Sequence, residues 1–282
     1  MISFVILNYN SFELTKECIK KIKKIKTNRS ISIIVVDNNT LEKQEYNTLT
    51  KSADKIIVNN ENLGFAKANN IGINYAKDKY NPDFICVLNS DCFIEQDSFI
   101  DIIYQIYNNK TFDILGPKIY SDNFLSWNPF PVYKNLNEIN EKIKYNEKLL
   151  KIYKNKLLYL ILKLYLILKK KNNNFDRNGK YEEEKVALHG CCLIFSRKYL
   201  DLFEDAFYND TFLYHEEEFL YYRMKKHNLM YIYSPKIEVY HLEGQATNKT
   251  YKNVRKKLIF KTEGILDSLY KLKKIVESDS II

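Results

Sequence analysis

The chain of 282 residues is 45% hydrophobic and has a formal net charge of +9, with only seven glycines and five prolines. This length builds one large domain, with or without an appendage, and the composition excludes disorder over most of it. The positive charge favours anionic partners (nucleic acid, acidic lipid or a phosphorylated substrate), although lysine-rich helices are also commonly just solvated faces. The five cysteines are odd in number and lack metal-ligand spacing, which predicts reduced thiols in a cytoplasmic protein, with Cys191 and Cys192 buried.

The first 120 residues alternate between strand and helix signals. The opening MISFVILNYN has no cationic leader and predicts a buried first strand rather than a signal peptide. Continuous apolar runs separated by helical patterns are typical of a parallel sheet covered on both faces. The predicted strands are Ser3–Leu7, Ile31–Asp37, Lys55–Asn59 and Phe84–Asn89, and the predicted helices are Ser11–Lys26, Leu41–Lys51 and Phe65–Lys77.

Polar residues follow each of these strands, among them Asn8, Asp37, Asn59 and Asn89. Ligands of parallel α/β sheets bind beyond the carboxyl ends of the strands, so these residues predict a binding site at one edge. At that edge the Asp37 carboxylate either accepts hydrogen bonds from a nucleotide or caps the next helix.

Two further segments carry groups suited to a nucleotide diphosphate. In NLGFAKANNIG (62–72), Gly64 permits close approach of the backbone, while Lys67 and Asn69 supply donors. The segment is neither G-x-G-x-x-G nor a P-loop, which argues against a P-loop ATPase. In LNSD (88–91), Asp91 is either a helix cap or a carboxylate ligand for the Mg²⁺ or Mn²⁺ that accompanies a diphosphate.

Residues 134–180 form a lysine-rich insert that is predicted to be helical. Its most apolar part, 157–168, would extend about 18 Å as a helix, whereas a bilayer's hydrocarbon core is about 30 Å thick. The insert is therefore not a spanning segment. Three interpretations stay open: peripheral membrane contact through 149–170, an oligomer contact that makes a homodimer, or a helix folded back on its own domain.

After residue 185 the alternation returns. The segment VALHGCCLIFSRK (186–198) predicts a strand, Glu216–Lys226 a helix, Met230–Ser234 and Ile237–His241 two short strands, and 251–282 a basic helical tail. The triple Glu216–Glu217–Glu218 is either a solvated helix start or the source of a general base, because neighbouring carboxylates raise one another's proton affinity.

In this order, ILNYN, VVDNNT, NLGFAKANNIG, LNSD, HGCCLIFSRK, FLYHEEEFLYYR and VYHLEG resemble glycosyltransferase family 2, and its rhamnosyltransferase-like and capsular polysaccharide branches most of all. The resemblance covers about residues 1–130 and 185–250. It implies an α/β GT-A fold over 1–250, with a mostly parallel nucleotide-binding sheet, the helical insert and the tail. It also implies inverting transfer from a nucleoside-diphosphate sugar, UDP- or dTDP-linked.

The resemblance assigns roles residue by residue. LNSD matches the family's D-x-D element with Asn89 in the first position and Asp91 as the metal ligand, and Glu217 matches the general base beside Glu216. His241 in VYHLEGQAT is similar to the family's H-x-x-G-x-S, with Thr247 near the serine position, and is a second ligand for the divalent cation. His189 and Gly190 line the acceptor side. The implied nucleotide-sugar site consists of Asn8, Tyr9, Asp37, Asn39, Asn62, Gly64, Lys67, Asn69, Asn89, Ser90 and Asp91.

The predicted function is therefore sugar transfer to a glycan or lipid-linked acceptor in bacterial surface polysaccharide or glycoconjugate synthesis, by a cytoplasmic protein that rests on the inner face of the membrane. A nucleotidyltransferase is the alternative enzyme, but ILNYNSFE lacks the glycine-rich basic loop expected after its first strand. A basic nucleic-acid-binding or scaffold protein is the non-enzymatic alternative. No nucleic-acid-binding motif accompanies the charge, so nucleic acid is not an expected partner.

Overall fold

The structure is a computed structural model, and it describes residues 1–122, 127–168, 181–242 and 253–278. Within these ranges a nine-stranded mixed sheet is flanked by helices, which confirms the predicted α/β class. The strands are β1 (Ile2–Asn8), β2 (Ile31–Asp37), β3 (Lys55–Val58), β4 (Phe84–Asn89), β5 (Cys92–Phe93), β6 (Ile114–Tyr120), β7 (Glu183–Glu184), β8 (Cys192–Ser196) and β9 (Tyr231–His241). The helices are α1 (Phe12–Ile22), α2 (Lys43–Leu49), α3 (Ala66–Tyr80), α4 (Phe99–Asn109), α5 (Leu136–Lys154), α6 (Lys156–Leu168), α7 (Arg197–Leu202), α8 (Glu216–His227) and α9 (Val254–Ser278).

The strand order is β3-β2-β1-β4-β8-β6-β9-β5, with β7 paired to β9. The first four strands in this order are parallel, and their register sets Asn8 opposite Asp37 and Leu7 opposite Asn89. Their carboxyl ends therefore share one edge, as the alternation of elements predicts. The mixed character begins at β8, which runs antiparallel to both β4 and β6.

Apolar side chains cover both faces of the sheet. One cluster joins the sheet to α1 and α4 through buried residues such as Ile19 and Ile103. A second cluster joins the opposite face to α3 and α8 through Ile73 and Met224. Because both faces are buried, the central strands read as continuous apolar runs rather than alternating ones.

The structure corrects the sequence-based element assignments at four points. Helix α4 and strand β6 were not predicted, and the strand predicted over 186–198 is confined to β8. The two short strands predicted on either side of Pro235 form one strand, β9. Its pairing with β6 shifts between Pro117 and Lys118, whose partners are Ser234 and Glu238, so Pro235 lies where the ladder is interrupted and its missing N–H has no partner to lose.

The insert and the tail meet in a third apolar cluster. Ile139 and Ile143 of α5 pack with Leu269 and Leu272 of α9 and with Phe219 of α8. This contact corresponds to the interpretation in which the insert folds back on its own domain, although it involves only α5. The proposed boundaries at 134–180 and 251–282 stay predictions, since part of each segment lies outside the described residues.

Helix α6 differs from α5 because its large apolar side chains are exposed, among them Leu157 at 67% and Leu164 at 63%. None of the described helices combines the length and the apolar character that a membrane span requires.

Candidate active site

A buried hydrogen-bond network closes the carboxyl ends of β1 and β2. The Asp37 carboxylate is fully buried and accepts hydrogen bonds from Asn8 Nδ2 at 2.6 Å and from Thr40 N and Oγ1, both at 2.8 Å, as well as from Leu41 N at 3.1 Å. Asn8 Oδ1 in turn accepts from Thr15 Oγ1 at 2.7 Å. Asp37 therefore holds the turn after β2 in place. Its own carboxylate is not among the groups that line the neighbouring cavity.

An open cavity of about 390 Å³ lies above this network. It is lined by Asn8, Asn10, Ser11, Thr40 and Leu41, with Phe12 and three glutamates, Glu13, Glu42 and Glu45, completing the wall. Asn10 and Asn39 have left-handed backbones, with φ of 52° and 61°, which asparagine tolerates better than most residues. Tyr9, which precedes Asn10, is half-buried, and its N–H donates to Ser11 Oγ at 3.3 Å.

Gly64 connects the nucleotide-side loop to the segment that carries the acidic triple. Its φ is +80°, and a Cβ built there would lie 2.0 Å from the carbonyl oxygen of Phe212. The next N–H, of Phe65, donates to the same oxygen at 2.8 Å, and Asn38 Nδ2 donates to the Gly64 carbonyl at 2.9 Å. VVDNNT, NLGFAKANNIG and FLYHEEEFLYYR are thus in direct contact, and only glycine fits between them.

The other predicted residues of this loop differ in exposure. Asn62 Oδ1 accepts from Gly64 N at 2.9 Å and so shapes the turn. Asn69 is fully buried and donates to the carbonyl of Phe65 at 3.0 Å, whereas Lys67 on the same helix is exposed. Lys67 is therefore more accessible to solvent or a ligand than Asn62, which is half-buried, or Asn69.

Asp91 and His241 converge beyond the end of β4. Asp91 Oδ1 lies 3.4 Å from His241 Nε2, and the side chains are 10% and 11% exposed. The pairing of β5 with β9 causes this approach, because Cys92 lies opposite His241 and the N–H of Leu242 donates to the Asp91 carbonyl at 3.0 Å. Ser90 is buried beside them and shares a 2.8 Å hydrogen bond with Ser11 Oγ. The predicted position of Thr247 lies outside the described residues.

The HGC turn before β8 lies against this pair. The Cys191 carbonyl accepts from Asn89 N at 2.9 Å, and the Cys191 N–H donates to His189 Nδ1 at 3.1 Å. The centroid of the His189 ring lies 6.0 Å from that of His241. Cys92, Cys191 and His241 also present ligand atoms within 4.8 Å of one another. His189, predicted for the acceptor side, and His241, predicted for the metal, therefore lie in one cluster of side chains.

The acidic triple begins α8, and its three carboxylates point to different partners. Glu217 Oε1 accepts from the Gly190 N–H at 2.9 Å, and a Cβ on Gly190 would lie 3.0 Å from that oxygen. Glu218 is buried, with Oε1 2.9 Å from His215 Nδ1. His215 and Tyr214 both have positive φ, 69° and 75°, so the chain enters the helix through two strained residues, as is common at functional sites.

Glu216 is buried, like Glu218, but its carboxyl group has a different environment. Burial raises its pKa from 4.5 to about 8, and the negative charges of Glu217 and Glu218 add to the shift. Its Oε1 atom has no hydrogen-bond partner among the described residues. At neutral pH Glu216 is therefore mostly protonated and is not the member of the triple suited to accept a proton.

Sequence reasoning missed several residues of this site. Thr40 and Ser11 complete the network around Asn8, while Asn128 accepts the His189 N–H at 2.7 Å and is fully buried. Cys92 and Cys191 each adjoin a predicted residue, Asp91 and Gly190. That adjacency was the available signal, but cysteine spacing alone pointed to isolated buried thiols.

The sheet with its polar carboxyl edge, the Asp91–His241 pair and the glutamate at the start of α8 together define a GT-A fold. The chain belongs to glycosyl transferase family 2, whose family model matches residues 3–203. Both the predicted family and the predicted fold are thereby confirmed.

The chain is also similar to individual proteins, one by sequence and two by fold. The chain is similar to the low-salt glycan biosynthesis hexosyltransferase Agl10 of Haloferax volcanii, with 28% identity over 132 residues that cover 46% of this chain and 40% of Agl10. The match thus spans less than half of that relative. The solved structure of S. aureus TarS 1–349 superposes with a TM-score of 0.53 at 11% identity, covering 96% of this chain and 71% of TarS 1–349. GalNAc-T7 with UDP, GalNAc and Mn²⁺ gives 0.54 at 13%, covering 86% of this chain and 43% of that one.

Proposed function

We propose that this protein is an inverting glycosyltransferase. It moves a hexosyl or deoxyhexosyl group from a UDP- or dTDP-linked sugar to a hydroxyl of a glycan or lipid-linked acceptor, in bacterial surface polysaccharide or glycoconjugate synthesis. One observation carries the proposal: Glu217 is hydrogen-bonded at 2.9 Å to Gly190, in the same turn whose Cys191 and His189 lie against His241. A carboxylate is thereby held beside the residues suited to bind a donor diphosphate.

The comparisons support the donor class. TarS 1–349 was solved with UDP, GalNAc-T7 with UDP, GalNAc and Mn²⁺, and Agl10 is a hexosyltransferase of glycan biosynthesis. In this chain the cavity bounded by Asn8, Asn10 and Thr40 is where we place the base and ribose, at the carboxyl ends of the parallel strands.

The donor atoms at the end of β4 fit a divalent cation. Asp91 supplies a carboxylate oxygen and His241 an imidazole nitrogen 3.4 Å away, and both side chains are almost buried. Mg²⁺ and Mn²⁺ accept such ligands together with phosphate oxygens and water. When bound, the cation offsets the negative charge of the leaving diphosphate. Asn89, where an aspartate would add charge, leaves Asp91 as the single carboxylate of LNSD.

Glu217 is the proposed general base. Its hydrogen bond to Gly190 N fixes one carboxylate oxygen, and the other accepts the proton of the acceptor hydroxyl as its oxygen attacks the anomeric carbon. A single displacement of this kind inverts the anomeric configuration. Glu216, which is protonated at neutral pH, and Glu218, which pairs with His215, are less suited to that step.

The test is sugar transfer and nucleotide binding by Glu217→Gln beside Glu218→Gln as the matched control on the same helical turn. Loss of a general base lowers the rate by about 10²- to 10⁴-fold. We expect this loss in Glu217→Gln with unchanged UDP affinity, because glutamine retains the Oε1 acceptor for Gly190. Near-normal turnover of Glu217→Gln would refute its role as base, and absence of binding to every UDP- and dTDP-sugar would refute the donor class.

We also propose that α6 rests on an anionic phospholipid bilayer, the cytoplasmic leaflet of the membrane that holds the acceptor. Leu157, Leu160, Ile161 and Leu164 recur at i, i+3, i+4 and i+7, so they share one helix face, and they are 55–67% exposed. Lys156 and Lys163 lie on the same helix and favour acidic head groups.

Co-sedimentation with vesicles tests this membrane contact. Leu160→Glu and Leu164→Glu should each reduce binding to anionic vesicles, whereas Leu202→Glu, at a site 57% exposed on α7, should leave it unchanged. Equal binding by all three variants, or none by the unaltered protein, would contradict the proposal.

A further inference from the structure

Beside the proposed cation pair lies a second set of metal-ligand side chains of different chemistry. The Cys92 and Cys191 sulfurs and an imidazole nitrogen of His241 lie within 4.8 Å of one another. Both cysteines are buried, and the His241 side chain is 11% exposed. These residues come from three distant parts of the chain.

The sheet itself imposes this convergence. Cys92 of β5 lies directly opposite His241 of β9, and directly opposed residues of antiparallel strands present their side chains on the same face about 5 Å apart. Cys191 directly precedes β8, and its carbonyl accepts a hydrogen bond from the N–H of Asn89 at the end of β4, which holds it near Cys92. The Cys92 and Cys191 thiols lie within hydrogen-bonding reach of each other, so the two sulfurs are close enough to share one cation.

We infer that Cys92, Cys191 and His241 bind a thiophilic divalent cation such as Zn²⁺. Thiolate and imidazole ligands favour Zn²⁺, whereas Mg²⁺ and Mn²⁺ favour oxygen. With bonds of about 2.0–2.3 Å, tetrahedral Zn²⁺ has ligand–ligand edges of about 3.3–3.8 Å. Side-chain rotations that move the three donor atoms by about 1 Å are sufficient to reach that geometry from 4.8 Å.

The surroundings complete such a site. Asp91 lies 3.4 Å from His241 Nε2, and a carboxylate next to a ligating imidazole commonly orients the ring. Asp91 and His241 are slightly exposed whereas both cysteines are buried, so we expect a cation to reach the cluster from the side of Asp91 and His241. Because a neutral imidazole offers one nitrogen lone pair for ligation, Zn²⁺ on the thiols and Mn²⁺ on Asp91 would compete for His241. Zn²⁺ should therefore inhibit any Mn²⁺-dependent reaction of this site.

Metal binding can be measured without any sugar transfer, so its outcome is separate from that of the proposed function. Reduced full-length protein is titrated with Co²⁺, which gives a sulfur-to-cobalt charge-transfer absorption when thiolates bind it. We expect one Co²⁺ per chain with that absorption, and we expect Zn²⁺ to displace it. Cys92→Ser and Cys191→Ser should lose the absorption, while Cys86→Ala, which alters another buried cysteine of the same sheet, should retain it.

X-ray absorption of the zinc-loaded, unaltered protein provides the test that no variant's folding can affect. Two sulfur neighbours at about 2.3 Å are expected. A first shell of oxygen and nitrogen alone, or cobalt absorption that survives in both serine variants, would overturn the inference.

Discussion

Replacing Glu216 with glutamine tests whether a carboxyl group is kept protonated at the start of α8. Burial, together with the charges of Glu217 and Glu218, raises the pKa of Glu216 from 4.5 to about 8. Between these two values the folded protein holds a proton that the unfolded chain has lost, so stability falls as pH rises. The dependence is about 1.4 kcal/mol per pH unit and levels off above the folded pKa.

Between pH 6 and pH 9 the ionisation of Glu216 should therefore cost the unaltered protein about 2–3 kcal/mol of unfolding free energy. Glutamine has the same shape and does not titrate, so Glu216→Gln removes this part of the pH dependence. Urea denaturation of both proteins at several pH values gives the difference directly. The two stabilities should be similar at pH 6, and the variant should be the more stable by about 2–3 kcal/mol at pH 9. Parallel curves over this range would refute the assignment of a protonated Glu216.

Three further substitutions test contacts of the site. Gly64→Ala should destabilise the fold by more than about 2 kcal/mol, because alanine is strained at φ +80° and its Cβ meets a carbonyl oxygen at 2.0 Å. In Gly264→Ala, within α9, the atoms nearest the added Cβ are ring carbons of Tyr214 at 3.2 and 3.3 Å and no backbone strain arises, so thermal denaturation should show a smaller shift. Equal shifts would contradict this reasoning. Asp37→Asn replaces one carboxylate oxygen, which accepts hydrogen bonds from neighbouring N–H groups, with an NH₂ donor. It should lower the free energy of unfolding in urea by about 1–3 kcal/mol and weaken UDP binding. Unchanged affinity would show that the turn after β2 does not shape the nucleotide site. Gly190→Ala adds a Cβ 3.0 Å from Glu217 Oε1 and should lower the transfer rate with little loss of stability; an unchanged rate would separate Gly190 from the positioning of the base.

The half of the sheet that carries the nucleotide-side residues was predictable because local sequence determines it. Strands β1 to β4 are continuous apolar runs, each followed by a polar residue, and parallel pairing brings Asn8, Asp37 and Asn89 to one edge without any knowledge of long-range contacts. Gly64 was also detected from its type, although the reason for it, the carbonyl of Phe212, lies about 150 residues away in the chain and cannot be read locally.

The other half of the site depends on pairings that no local pattern encodes. Strand β6 contains Pro117, which argues against a strand in a single sequence, yet the interruption of its ladder with β9 accommodates the proline. The same pairing with β6 keeps β9 a single strand on both sides of Pro235. Because the register of β9 sets His241 opposite Cys92, the thiol cluster was invisible to cysteine spacing.

The two halves meet at Glu217, the proposed general base, and their contact shows how its carboxylate is held. The Gly190 N–H donates a hydrogen bond to Glu217 Oε1 at 2.9 Å, so a backbone donor sets the position of the glutamate carboxylate. The residues on either side of that donor are themselves hydrogen-bonded, Cys191 through its carbonyl to the N–H of Asn89 and His189 through its N–H to buried Asn128. The hydrogen bond therefore orients the carboxylate of Glu217 despite the length of the glutamate side chain. Shortening it in Glu217→Asp should therefore break the hydrogen bond to Gly190 and lower the transfer rate, and a rate equal to that of the unaltered protein would show that Gly190 does not set the position of the base.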